Sequence, residues 1–237
     1  MIILVKNNKG GIGKTFLTSQ IAKGLNIAGK KTLIITSDTQ NNILNMLWKK
    51  YTGEQIREGL LKSIKENKIY SVKLDENLEF IPLERTLFIG GFKEKFNKFI
   101  NSIKKKYDFI LIDSTPVLNL DNVFVEIAEK VIIPITLDEL SYVGTVNILN
   151  TIPIEKIFAF IINKYENTKI QNKYKEKLLS VIPGENLYTI KKSAEIEKIV
   201  DNRKTIWDYE NKKIQDIKDE FFKIIGNILL EKEGKNE

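Results

Sequence analysis

Short apolar runs rich in β-branched residues recur along the chain, separated by longer stretches with helical periodicity. The runs Ile2–Val5, Thr32–Thr36, Leu78–Pro82, Phe109–Asp113, Lys130–Thr136 and Ile157–Asn163 are the predicted strands. Between them, Thr15–Ala28, Lys93–Lys106 and Glu139–Asn150 alternate apolar and polar positions as amphipathic helices do. Strands that are apolar almost throughout, rather than at every second position, belong to a sheet covered on both faces. The pattern predicts an α/β fold: a mostly parallel, doubly wound sheet with helices on both faces. A closing helix over roughly Lys213–Leu230 places Ile214, Ile217, Phe221, Ile224, Ile225 and Ile228 at helical spacing. No repeat or linker interrupts the order, so residues 1–237 are read as one domain, with 231–237 as a frayed polar tail.

Composition narrows the chemistry. The chain has neither cysteine nor histidine, which removes disulfides, thiolate metal sites and the usual neutral-pH general base. Any reaction must run on carboxylates, lysines, hydroxyls and backbone amides. The net charge of +7 favours a polyanionic partner. The excess is almost all lysine, with arginine only at Arg57, Arg85 and Arg203, so the same bias also follows from an AT-rich coding sequence. The opening Met-Ile-Ile-Leu-Val-Lys is too short for a secretory leader, and no apolar run reaches membrane-spanning length; a cytoplasmic location is the expectation.

The first predicted strand leads into Asn7-Asn8-Lys9-Gly10-Gly11-Ile12-Gly13-Lys14-Thr15 and then a helix. Strand, glycine-rich turn and helix form a phosphate cradle: glycines let backbone N–H groups wrap an anion, and the helix N-terminus favours its charge. Lys14 is placed to reach the β- and γ-phosphates of a nucleotide, and the Thr15 hydroxyl to ligate Mg²⁺. The strict G-x-x-x-x-G-K-[ST] pattern fails at Asn8, but K-G-G-x-G-K-[ST] is met in full. The apolar run Phe109–Ile112 ends in Asp113, a carboxylate held rigidly where it can bind Mg²⁺ through a water.

The segment Lys9–Thr15 resembles the deviant phosphate loop of the ParA/MinD superfamily of ATPases, and the short ParA-type partition ATPases in particular. That resemblance implies nucleotide contacts from Lys9, Gly10, Gly11, Ile12, Gly13, Lys14, Thr15 and Phe16. It also implies that Lys9 reaches across an ATP-dependent homodimer to the partner's phosphates. Thr36-Ser37-Asp38-Thr39-Gln40-Asn41-Asn42 is similar to the family's D-x-D-P-Q-x-N segment, which casts Asp38 as the residue positioning the attacking water. Thr36 and Thr39 depart from it, and the lost charge at Thr36 implies slower or more partner-dependent hydrolysis. Asp113-Ser114-Thr115-Pro116 resembles the turn that responds to the γ-phosphate. Lys130–Ile135 and Leu137–Ser141 continue the likeness, and Asn163 and Pro183 match the adenine-side elements.

By the same resemblance, the partners are non-specific DNA and a small centromere-binding protein of ParB type that stimulates hydrolysis. Lys191, Lys192, Arg203 and Lys204 are the candidate DNA contacts. No helix-turn-helix segment precedes the loop, so operator binding is not expected. The alternative is a MinD-like ATPase positioned on a membrane surface, for which Phe221–Leu230 is the candidate amphipathic helix. Iron–sulfur carriers of the superfamily are set aside by the absence of cysteine. Tyrosine-autophosphorylating relatives are set aside because 231–237 contain no tyrosine.

Overall fold

In a computed structural model of the chain, residues 1–48, 56–85, 90–115, 118–182 and 186–234 are described. Eight strands form one sheet in the order β3-β4-β2-β5-β1-β6-β7-β8. They are β1 (Ile2–Val5), β2 (Thr32–Thr36), β3 (Val72–Asp75), β4 (Leu78–Ile81), β5 (Phe109–Asp113), β6 (Lys130–Ile135), β7 (Ile157–Tyr165) and β8 (Leu187–Lys191). All neighbouring pairs are parallel except β3 with β4. The doubly wound α/β expectation therefore holds, with an antiparallel edge added by β3.

The helices are α1 (Lys14–Ile27), α2 (Asn42–Leu47), α3 (Leu60–Glu66), α4 (Phe92–Ile103), α5 (Leu118–Ile127), α6 (Glu139–Leu149), α7 (Lys169–Leu179), α8 (Ala194–Asp201) and α9 (Gln215–Glu233). Alternate side chains of the central strands feed two separate cores. Ile2 and Leu4 of β1 join Phe96, Phe99 and Phe124 on one face, with Leu60 of α3 and Ile148 of α6. Ile3 and Val5 join Leu17, Ile21, Phe221, Ile224 and Ile228 on the other, under α1 and α9. This two-faced burial is why the strands read as unbroken apolar runs.

α9 lies against α1 at close range. A Cβ at Gly24 of α1 would come within 2.1 Å of Ile225 Cδ1 and 2.9 Å of Trp207 Cζ2, so any side chain there requires Ile225 and Trp207 to shift. Phe221 is fully buried and meets Phe16 edge-on at 6.1 Å and Trp207 at 6.3 Å. The expected tail is shorter than its sequence suggests: α9 continues to Glu233, where Glu231 pairs with Lys130 at 2.7 Å and Lys232 with Asp108 at 2.9 Å. Charged residues beside two distant strand starts, Lys130 and Asp108, hold a segment whose own sequence is simply polar. Among the described residues, no helix is long and apolar enough to cross a membrane.

Candidate functional site

Three strand ends converge beneath the loop after β1. Val5 and Thr36 both lie in register with Asp113, and the exits are tied by side chains. Ser114 Oγ donates to Val5 O at 3.0 Å, and the Thr115 amide donates to Ser37 Oγ at 2.8 Å. Asn7, 2% exposed, fixes the start of the loop by donating from Nδ2 to Pro134 O at 2.6 Å and accepting from the Lys9 amide at 2.9 Å. Cradles for anions at the carboxyl ends of parallel strands are the general rule for such sheets.

Two loop glycines are required by conformation. Gly11 and Gly13 have φ of 71° and 92°, a region costly for other residues. A Cβ on Gly13 would also sit 2.3 Å from Asn163 Nδ2. Asn163, on β7, donates from Nδ2 to Ile12 O at 2.8 Å, so the predicted base-side asparagine does stand against the loop. Beside it opens a cleft of about 440 Å³ lined by Gly13, Phe16, Met46, Asn163, Glu166 and Ile196 among others. Lys164 Nζ donates to Gly11 O at 3.0 Å, a loop contact made across 153 positions of sequence. Pro183 and Pro116 lie outside the described residues.

Lys14 is buried, and its ammonium donates to Lys9 O at 2.8 Å. Asp113 is 2% exposed, and among the described residues its Oδ1 has no hydrogen-bond partner. Burial pushes its carboxyl up to about 7, against the pull of the Thr15 hydroxyl and the Lys14 ammonium. An orphaned, buried carboxylate oxygen beside a threonine hydroxyl and a lysine fits a hydrated divalent cation that also binds phosphate oxygens. Among the described residues there is no cluster of three or more acidic side chains able to hold a metal alone.

Asp38 stands at the turn after β2. Its Oδ1 accepts the Gln40 amide at 2.9 Å, and its own amide donates to Thr36 Oγ1 at 3.0 Å. Thr36 Oγ1 also donates to Asp113 O at 3.3 Å. At the position where the family carries an aspartate, a buried hydroxyl thus bridges the two carboxylate-bearing strand ends. Asn41, not Asn42, anchors this turn: its amide group exchanges hydrogen bonds with Leu83 N and Leu83 O at 2.8 and 2.9 Å, while Asn42 is exposed.

Lys9 is committed within its own chain. Its ammonium donates to Asp138 Oδ2 at 2.7 Å, Ser141 Oγ at 3.1 Å and Thr136 Oγ1 at 3.4 Å. Asp138 is also the N-cap of α6, accepting the Ser141 amide at 3.0 Å. Although burial opposes it, hydrogen bonding to Lys9, the Ser141 amide and Thr136 holds the Asp138 carboxyl down at about 2. No local sequence signal pairs residues 9 and 138; the β1–β6 neighbour relation does.

The four candidate DNA residues do not form one patch. Lys191 and Lys192 line the cleft beside Gly13 and pair with Asp216 at 2.6 Å and Glu166 at 2.9 Å. Arg203, at φ 52°, lines a different cleft with Trp48, Lys23 and Asp75. Lys204 lies over the Tyr209 ring at 5.6 Å.

Comparison with known proteins agrees with this geometry. A family model described as an AAA domain matches residues 1–157. The protein MJECL24 of Methanocaldococcus jannaschii is 32% identical over 78% of this chain and 81% of its own length. The sporulation initiation inhibitor Soj of Bacillus subtilis is 26% identical over 64% of each, so the chain spans a little under two thirds of that relative. A plasmid partition protein of Borrelia burgdorferi bound to AMPPNP superposes with a TM-score of 0.71 at 24% identity, covering 100% of this chain and 99% of that one. MinD of Aquifex aeolicus, in its complex with MinC, gives 0.75 at 22%, covering 95% of both. The loop between β1 and α1, the carboxylates behind it and the family match lead to one statement: the chain belongs to the AAA domain family and is an ATPase of the ParA/MinD superfamily.

Proposed function

We propose that this ATPase acts in DNA partition: it binds ATP with Mg²⁺, dimerises in that state and binds DNA without sequence preference. A small centromere-binding protein then stimulates hydrolysis and resets it. The observation that carries the reading is the convergence of Lys9, Lys14 and the unpartnered Asp113 oxygen on one glycine-built loop.

In this reading the amides of residues 10–15 bind the phosphates, which the N-terminus of α1 also favours. Lys14 exchanges the Lys9 carbonyl for phosphate oxygens. Thr15 and Asp113 would hold the Mg²⁺, which supplies charge neutralisation to the phosphates when bound. Asp38, fixed by Thr36 and the Gln40 amide, orients the attacking water and accepts its proton. Lys9 leaves Asp138 to reach the phosphates bound by a second copy, so the ion pair with Asp138 is the contact that dimerisation must break. Phe16 and Asn163 bound the base side of the cleft.

The membrane-surface alternative drew on the apolar face of Phe221–Leu230. Phe221, Ile224, Ile225 and Ile228 of that face are 0–5% exposed beneath α1, which disfavours it as a membrane anchor. The test is light scattering and DNA co-sedimentation of the full chain with ATP, with ADP and without nucleotide. Dimerisation and DNA retention only with ATP, lost in Lys9→Ala, is the expected result. A protein that stays monomeric with ATP, or an ATP turnover unchanged in Lys14→Ala and Asp38→Ala, rules out these assignments.

A further inference from the structure

The chain carries a net charge of +7. Eleven lysines take part in ion pairs among the described residues, Lys191 and Lys192 among them. α7 is different. Lys169, Lys173 and Lys177 follow one another at spacings of four, all are exposed, and none makes an ion pair among the described residues. The spacing places them along one face over about 12 Å.

Local electrostatics disfavour this arrangement. Like charges four residues apart repel along a helix. Lys169 also occupies the first turn of α7, where the helix dipole is positive and a cation is the unfavourable choice. Acidic residues are close by, yet two are committed elsewhere, and Glu176, three positions after Lys173 on the same helix, makes no ion pair with the lysines among the described residues. Glu166 pairs with Lys192, and Asp138 with Lys9; Glu176 shares α7 and Glu139 begins α6. Lys177 instead lies over the rings of Tyr174 and Tyr142 at 5.3 and 5.8 Å, contacts that steer its ammonium without neutralising it.

The stripe is also wired to the nucleotide loop. Lys164 donates to Gly11 O, Gln171 Nε2 donates to Lys164 O at 3.3 Å, and the Glu166 amide donates to Gln171 Oε1 at 2.7 Å. The first turn of α7 is therefore hydrogen-bonded to the segment that touches the phosphate loop. A shift of that loop on nucleotide binding has a direct path to the helix.

We propose that the Lys169–Lys173–Lys177 face of α7 is the phosphate-contacting surface for duplex DNA, which rests on the DNA-binding part of the function proposed above. About 12 Å of duplex presents about seven backbone charges, at one per ~1.7 Å of axis, enough to engage all three ammonium groups. The surrounding Gln171 and Asn172 are polar. The exposed Ile170 and Leu179 sit at opposite ends of the helix, not as the continuous apolar stripe that insertion into a lipid surface requires.

The experiment measures binding of the full chain, with ATP and Mg²⁺, to a long duplex of random sequence across a salt series. The variants are Lys169→Ala/Lys173→Ala/Lys177→Ala, the same three positions changed to Arg, and Lys191→Ala/Lys192→Ala. Alanine is a better helix former than lysine, so the fold is not at risk. The triple alanine variant is expected to bind at least tenfold more weakly and to flatten the log–log salt slope by about 2.7, at ~0.9 per phosphate contact. The arginine variant retains binding, and ATP turnover without DNA stays at the wild-type value. If wild type binds DNA and the triple alanine variant matches it in affinity and slope, the face is wrong while DNA binding stands. If wild type shows no DNA affinity at low salt, the partition reading fails and this surface with it. Binding to anionic vesicles through the same lysines, with none to DNA, also overturns it.

Discussion

Consider replacing Gly13 by alanine. The residue caps α1 at φ 92°, ψ 24°, where a Cβ costs about 1–2 kcal/mol in left-handed strain. The new carbon would also sit 2.3 Å from Asn163 Nδ2, so the asparagine must swing away. That breaks its buried bond to Ile12 O, worth about 1 kcal/mol. The combined loss is about 2–3 kcal/mol of a total that is ordinarily 5–15 kcal/mol. Asn163→Ala alone removes the hydrogen bond but no strain, and is expected to cost about 1 kcal/mol. In the double variant the clash is gone, so the two losses do not add, and a coupling of about 1 kcal/mol should appear. Denaturant unfolding of the nucleotide-free protein measures all four corners of the cycle. Strict additivity would refute the packing of Asn163 against the loop, because independent sites cannot share a hydrogen bond.

Further predictions concern the carboxylates and the α1–α9 contact. The Asp113 carboxyl stands at about 7 in the folded chain against an ordinary 3.8, so the penalty for ionising it is absent below pH 3.8, grows between, and is complete above 7. Measured with a metal chelator and no nucleotide, Asp113→Asn should be more stable than wild type at pH 8, with a ceiling of about 4 kcal/mol, and indistinguishable near pH 4. Parallel pH profiles would remove the argument. Asp138 is held down at about 2, so its contribution is full above 3.8 and fades as pH falls toward 2. With both partners partly exposed, Asp138→Asn should cost no more than about 1 kcal/mol at pH 7. It should also lower the protein concentration needed for ATP-dependent dimerisation several-fold, and an unchanged threshold would separate this ion pair from assembly. Phe221→Ala, by emptying the space between Phe16 and Trp207, should cost about 3–4 kcal/mol in chemical unfolding; a loss below 1 kcal/mol would mean that α9 does not hold α1.

What the sequence disclosed followed from burial. The six predicted strands coincide with β1, β2 and β4–β7 because a strand covered on both faces has no polar positions to disguise it. β3 and β8 were missed for the opposite reason: Val72-Lys73-Leu74-Asp75 and Leu187-Tyr188-Thr189-Ile190-Lys191 lie at the two edges of the sheet, and their half-polar composition resembles loop. The phosphate loop was legible because its residues are contiguous. Its supports were not, since Lys9 meets Asp138 across 129 positions and Ile12 meets Asn163 across 151. Thr36 read as a lost charge; its hydroxyl as a bridge between two strand ends emerges only from the register of β2 with β5.

The packing of α9 over α1 bears on how the chain is made. The phosphate loop and α1 leave the ribosome early, but the helix that covers the outer flank of α1 is translated about 200 residues later. At ~5–20 residues per second that interval is roughly 10–40 s, during which Phe16 and the flank around Gly24 face water without Phe221 and Ile225. The nascent chain therefore carries an adhesive apolar flank beside a phosphate loop whose own supports, Pro134 and Asn163, are also still to be made.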